Sequence, residues 1–148
     1  MKAGVVLLMA VVVACLASGL GRGDDKKEDP AKKEFDRLQG RWDYVSVKTD
    51  GKEATADEIK GAYREYKGDK VTTRASRTGT VKLDPTKTPG QIDVTWNGPG
   101  GARTDKGIYM IEGDTLTICY AIPSKVKDRP TEFKPGEGLT LFVSKKAK

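Results

Sequence analysis

Short stretches of alternating apolar and polar residues, separated by turn residues, run through most of this chain. Gln91 to Asn97 alternates most cleanly, and the turn pair Gly113-Asp114 separates Lys106 to Glu112 from Thr115 to Ala121. Alternation with period two predicts strands with one buried face, and closely spaced strands are typical of an all-β sandwich or barrel. Strands are also predicted at 41–49, 62–67, 70–75, 80–84 and 139–144.

The connections between these strands favour a closed barrel. Most of them are short, as in antiparallel hairpins, and closure removes the exposed edges of a sheet. The 148 residues suit a single domain. We therefore expect residues 34–148 to form an all-β, up-and-down antiparallel barrel of about eight strands, whose interior is filled by side chains or holds one small ligand.

Two short helices are predicted beside the strands. Phe35 and Leu38 are three residues apart, so they share one face of one or two helical turns between Glu34 and Gln39. The segment Thr55-Ala56-Asp57-Glu58 has the form of a capping box, which starts a helix that we expect to end near Lys60.

The first strand opens with Gly40-Arg41-Trp42. Glycine lets the backbone turn sharply, and a tryptophan at this position can plug one end of a small barrel while its N–H finds an acceptor. Further along, Trp42 and Tyr44 have one parity, whereas Val45 and Val47 have the other. A bulge or bend between the two pairs would bring all four side chains into register with the sheet.

Residues 1–21 have the features of an export signal. Lys2 gives a positive start, and the apolar run from Ala3 to Ala14 is too short for a spanning helix and is followed by small residues. Two cleavage sites stay open: before Cys15, which would then be lipidated as in bacterial lipoproteins, or between residues 17 and 21 by an ordinary signal peptidase. Both give an exported protein, which is periplasmic, anchored to the outer membrane or secreted.

Residues 22–33 (RGDDKKEDPAKK) are highly charged and have no large apolar side chain, so we expect a disordered tether. A lipid on Cys15 would be the one contact with a membrane. The net charge of +6 comes from 27 basic and 21 acidic residues that are interleaved along the chain. Because the chain has no basic stripe with aromatic residues between the charges, a nucleic-acid partner is not expected.

The composition excludes several chemistries. The chain has no His, which removes His general bases, Ser-His-Asp triads, His-ligated metals and His-ligated haem. Cys119 is the one cysteine after the export signal, so neither a Cys-based zinc site nor an intrachain disulfide is expected. We therefore expect no enzyme activity, no catalytic residues, no metal site and no cofactor.

Four segments carry a family resemblance: LQGRWDYVSVKTDGK (38–52), KLDPTKTP (82–89), GIYMIEGDTLTICYA (107–121) and RPTEF (129–133). In this order they resemble an uncharacterised lipocalin-like (calycin-like) domain of small exported bacterial proteins, which is abundant in planctomycetes. The resemblance implies a barrel and export, and it supplies no activity.

The resemblance also indicates how the barrel is closed. In lipocalins an Arg on the last strand stacks over the motif Trp, whereas the last strand here offers Lys145. Arg129 is therefore a candidate for covering Trp42, with Glu132 orienting its guanidinium. Together with Gly40 these residues form the candidate closing motif; the alternative is that the RPTEF segment is an ordered loop.

Two functions are compatible with such a barrel. In the first, the interior binds a small apolar ligand, with Tyr44, Trp96, Met110 and Tyr120 as candidate contacts. In the second, a filled core supports a non-enzymatic module that binds an envelope protein through the rim loops 97–104 and 122–137. The other residues expected to face inward are Val71, Val81, Leu83, Ile92, Val94, Ile108, Leu116, Ile118, Leu139, Leu141 and Val143.

Overall fold

A computed structural model describes residues 28–148. The strands are β1 (Gly40–Thr49), β2 (Lys52–Glu53), β3 (Tyr63–Lys67), β4 (Lys70–Thr73), β5 (Thr78–Asp84), β6 (Gly90–Gly98), β7 (Gly101–Glu112), β8 (Thr115–Ala121) and β9 (Leu139–Lys146). The helices are α1 (Pro30–Leu38) and α2 (Ala56–Ile59). The predicted export signal, Cys15 and the first part of the tether lie outside the described residues. Within residues 28–148, no helix has the length and apolar character needed to cross a membrane.

The strands form one antiparallel sheet that closes on itself. From β3 to β9 each strand pairs with the next, β1 pairs with β3, and β1 also pairs with β9 from Trp42 to Thr49. Eight strands make up the barrel, while β2 is a short additional arm paired with the far end of β1. The predicted eight-stranded antiparallel barrel with two short helices is confirmed.

Strand β1 contains the expected irregularity. Its register with β9 shifts between Tyr44 and Ser46, and the intervening Val45 is 53% exposed. Because of the extra residue, Trp42 and Tyr44 before the bulge and Val47 after it all lie on the inner face, although their positions differ in parity.

Helix α1 begins earlier than the apolar spacing predicted. The Asp29 side chain accepts a hydrogen bond from the Ala31 amide (3.0 Å), and Pro30 occupies the first helical position. Residues 30–33, which were assigned to the disordered tether, are therefore helical because an Asp-Pro start stabilises a helix end without apolar contacts. The capping box of α2 is present as predicted between Thr55 and Glu58.

The inward faces of β7 and β9 differ from the prediction. On β7, Tyr109 and Ile111 belong to the core, whereas Ile108 lies opposite Cys119 on the outer face. On β9, Phe142 packs against the core, so Leu139, Leu141 and Val143 have the outward parity. The other strands behave as expected. The buried core consists of Leu38, Trp42, Tyr66, Val71, Val81, Ile92, Val94, Trp96, Tyr109, Ile111, Leu116, Ile118 and Tyr120.

The outer face of the last strands is covered by residues 122–138, a loop that we call the strap. Its ends meet where the Ile122 amide donates to the Gly138 carbonyl (2.8 Å). Cys119 is a buried free thiol beneath it, with its Sγ 4.0 Å from the Lys134 carbonyl oxygen. On β7 both faces carry apolar residues, since Ile108 is buried on the outer face, so alternation could not identify the inner one. On β9 the more apolar set, Leu139, Leu141 and Val143, faces outward, and alternation therefore indicated the wrong face.

Three glycines on the inner face each lie directly opposite an aromatic residue of the next strand. The pairs are Gly79 with Trp96, Gly90 with Tyr109 and Gly107 with Tyr120. A Cβ atom on any of the three would come within 3.0 Å of the aromatic ring opposite. The missing side chains therefore make room for three large rings inside a narrow barrel.

Candidate functional site

One end of the barrel, the sealed end, is closed by α1 and Trp42. The Trp42 side chain is 1% exposed, and its Nε1 donates to the Leu38 carbonyl (2.7 Å). The ammonium of Lys146 lies 5.2 Å from the indole centroid and donates to the Arg37 carbonyl (3.2 Å). Gly40 has φ +100°, a conformation that suits glycine and turns the chain from α1 into β1.

The cation over Trp42 is thus Lys146, and the expectation that Arg129 covers this ring does not hold. Arg129 lies on the strap, where its Nη1 donates to the Gly107 carbonyl (2.7 Å) and forms an ion pair with Asp93 (2.7 Å). Glu132 pairs with Lys134 at 3.5 Å, and both side chains are exposed. The strap carries residue 129 to the outer face of β6 and β7, so the alternative of an ordered loop describes this segment.

The opposite end of the barrel, the open end, contains a pocket of about 330 Å³. Three of the four predicted ligand contacts, Tyr44, Trp96 and Tyr120, line it together. Phe142 adds a fourth ring, 5.2 Å from Tyr44 and 6.1 Å from Tyr120 between ring centroids. The sequence therefore identified most of the aromatic wall.

Met110, the fourth predicted contact, is not in this pocket. It lies opposite Thr117 on the outer face of the sheet, in a groove beside α1 that also includes Glu34 and Arg37. The error follows from the inverted face of β7, where Tyr109 and not Met110 points inward.

Arg64 forms the floor of the pocket and was not predicted. It comes from β3, lies between Trp42 and Thr73 across the sheet, and is 7% exposed. Its parity is that of the buried Tyr66, so alternation within the predicted strand 62–67 was the signal that could have located it. A charged side chain at an inward position is unusual and marks a site that packing alone does not explain.

Two tyrosine hydroxyls hold the Arg64 guanidinium. Its Nε donates to Tyr44 (2.7 Å) and its Nη1 donates to Tyr120 (3.1 Å). Burial acts to lower the pKa of Arg64, but the oxygens of Tyr120 and Tyr44 raise it above its ordinary value, so the charge is retained. Burial raises the pKa of Tyr120 despite the nearby cation, so this hydroxyl stays neutral and can accept.

Aromatic rings surround the same guanidinium. Its Cζ lies 4.4 Å from the Phe142 centroid, 5.0 Å from that of Tyr120 and 5.8 Å from that of Trp96. These distances are in the range of cation–π attraction. Among residues 28–148, no carboxylate lies within ion-pair distance of Arg64.

Two further arginines and one carboxylate lie at the rim. Arg77 is placed over the Trp96 ring, with 4.7 Å between its Cζ and the centroid. The Trp96 Nε1 donates to Asp105 (2.8 Å), and Asp105 forms an ion pair with Arg103 (3.0 Å). The single carboxylate of the pocket lining is therefore already held by partners at the rim.

Two buried hydroxyls beside Arg64 have no hydrogen-bond partner within the described residues. Thr73 Oγ1 is in the pocket wall, whereas Tyr66 lies deeper in the core. Burial raises the pKa of Tyr66, and the nearby Arg64 opposes this shift. The pocket wall thus contains one hydroxyl, that of Thr73, which makes no hydrogen bond within the described residues and could make one to a ligand.

No family model matches this chain, and no curated protein or solved structure matches it.

Proposed function

We propose that this protein is a non-enzymatic exported binding protein that holds one small organic ligand in the pocket above Arg64. The supporting observation is an aromatic-lined pocket of about 330 Å³ at the open end of a barrel whose other end is sealed. This volume lies at the lower limit of the range of about 300–1,000 Å³ that is typical of small-molecule sites. Export and kinship with the lipocalin-like family remain part of the proposal, supported by residues 1–21 and by the four similar segments.

The shape of the interior favours a ligand over the alternative of a filled core. Below Arg64 the barrel is packed with Trp42, Tyr66 and their neighbours, as in an ordinary core. Above Arg64, the rings of Tyr44, Trp96 and Phe142 line open space. Rigid aromatic walls with a few polar groups are the usual composition of a site that orients a small molecule.

The test is direct binding of a neutral aromatic probe, 1-naphthalenemethanol, to the full protein by calorimetry. We expect saturable binding at a ratio of one to one. Phe142→Leu removes a ring from the pocket wall and should weaken binding, whereas Met110→Leu is a matched control outside the pocket. Native mass spectrometry of protein purified from its own host should show an additional bound mass.

The proposal would be overturned by a protein that carries no bound molecule from its host and binds neither this probe nor its carboxylate analogue. Equal weakening by Phe142→Leu and Met110→Leu would also count against the pocket, because it would indicate binding elsewhere.

A further inference from the structure

We infer that the ligand of this pocket is a small aromatic carboxylate whose anionic group pairs with Arg64. This inference rests on the proposed function and assigns the chemical class of its ligand. Four features of the pocket carry it: the unpaired charge of Arg64, its remaining donors, the charge of the rim and the size of the cavity.

The first feature is a buried charge without a counter-charge. Arg64 is 7% exposed, and its neighbours among the described residues are three tyrosine hydroxyls, two of them hydrogen-bonded to it, and four aromatic rings. Burying a charge is costly unless it is paired and hydrogen-bonded. Tyrosine oxygens and ring faces offset part of this cost, and an anion entering the pocket would supply the missing partner.

The second feature is the geometry of the remaining donors. Tyr44 takes Nε and Tyr120 takes Nη1. The Tyr66 hydroxyl also lies beside the guanidinium, but no hydrogen bond of good geometry from Nη2 is found within residues 28–148. A guanidinium presents its N–H groups in a planar fork that matches a carboxylate better than a point charge does. The unpartnered Thr73 Oγ1 in the same wall offers one more donor for the second carboxylate oxygen.

The third feature is the charge of the rim. The pocket is lined by three arginines, at positions 64, 77 and 103, against one carboxylate, Asp105. Asp105 pairs with Arg103 and accepts from Trp96, which leaves the charges of Arg64 and Arg77 without a carboxylate in the pocket lining. A cleft lined mainly by one sign of charge concentrates ligands of the opposite sign.

The fourth feature, the volume of the cavity, limits the size of the ligand. About 330 Å³ leaves room for a compact ring system beside Trp96 and Phe142. Flat rings make favourable contacts with aromatic walls, and the neutral part of the molecule loses no hydrogen bonds there. The carboxylate would lie at the floor and the arene toward the rim.

The experiment compares two probes of nearly the same shape, 1-naphthoate and 1-naphthalenemethanol, by calorimetry at pH 7. We expect the wild-type protein to bind the carboxylate about tenfold more tightly or better, as for one charge-assisted hydrogen bond. Arg64→Met should abolish this preference while retaining binding of the alcohol. Arg41→Met removes an arginine that stacks on Tyr63 outside the pocket and should leave the preference unchanged.

The thermal unfolding of each variant shows whether it is folded. If Arg64→Met does not fold, the wild-type protein still provides a test, since the preference for naphthoate must disappear below the pKa of its carboxyl group, about 4. Equal affinity for both probes in the wild type would overturn the carboxylate assignment and leave the pocket function standing. Failure of both probes, with no bound molecule from the host, would overturn the proposed function itself.

Discussion

Gly107 on β7 lies directly opposite Tyr120 on β8, and the tyrosine ring occupies the space that a side chain at position 107 would take. This arrangement brings the Tyr120 hydroxyl to 3.1 Å from Nη1 of Arg64. Gly107 on β7 thus makes room for the Tyr120 ring on β8. This placement lets the Tyr120 hydroxyl accept a hydrogen bond from Arg64 on β3.

This relationship predicts that Gly107→Ala destabilises the barrel. The new Cβ would lie 2.6 Å from the Cys119 carbonyl oxygen and 2.7 Å from Tyr120 Cδ1, so backbone as well as side chain must move. We expect a loss of about 1–3 kcal/mol in the free energy of unfolding, measured by urea titration. Gly100→Ala is the control, because its Cβ would meet nothing within 4 Å. Equal stability of the two variants would show that the ring can move aside freely.

A second prediction concerns the buried cation. Tyr120→Phe leaves the Nη1 of Arg64 without its acceptor and should cost about 1–3 kcal/mol of stability. Arg64→Met removes the charge and its desolvation together but leaves the Tyr44 and Tyr120 hydroxyls without their donor, so the stability of the ligand-free protein should stay within about 1–2 kcal/mol of the wild type. In the Arg64→Met background, Tyr120→Phe should then cost much less, which a double-mutant cycle measures. A large loss of stability in Arg64→Met alone would instead make the arginine a structural element of the core.

A third prediction is a pH dependence at Asp50, which joins the β1–β2 turn to the strap. Hydrogen bonds from Lys125 (2.6 Å) and the Gly138 amide (2.8 Å) hold the pKa of Asp50 below its ordinary value of 3.8. A lowered pKa in the folded state gives stability that is present above about pH 4 and is lost as the pH falls through the lowered value. Asp50→Asn should therefore be less stable than the wild type at pH 7, with the difference shrinking toward pH 2.

Asparagine tolerates the positive φ of this position (52°), so the substitution tests the charge and its hydrogen bonds rather than the turn. The control is Asp128→Asn, at an exposed carboxylate of the same strap. A stability difference between Asp50→Asn and the wild type that is constant from pH 7 to pH 2 would contradict the linkage.

The architecture could be predicted from the sequence because turn residues and period-two alternation are local signals. They located the hairpin across Gly113-Asp114 and the bulge in β1. The inner faces of β7 and β9 could not be predicted, since Ile108 is buried on the outer face of β7 and the inner face of β9 carries Thr140 and Ser144 beside Phe142. Helix α1 extends further than expected because its start depends on Asp29 and Pro30 rather than on apolar spacing.

The candidate site was predicted only in part: most of its aromatic residues were identified, and its arginines were not. Tyr44, Trp96 and Tyr120 followed from aromatic residues at inward positions, whereas Arg64 was not identified, since charged residues rarely face the interior of a barrel. The rim arginines come together around Trp96, because Arg77 of the β4–β5 turn lies over its ring and Arg103 is its partner on β7, and this arrangement depends on the assembled sheet and not on any local segment.

Helix α1 and the mouth of the pocket lie at opposite ends of the barrel. Arg37 of α1 donates to the Ile111 carbonyl at the sealed end, and Arg103 of the same strand lies at the rim, eight residues or about 26 Å away along β7. The chain thus enters the domain on the side remote from the mouth. The cavity therefore opens on the side of the domain away from α1, and a ligand would enter it without passing the helix.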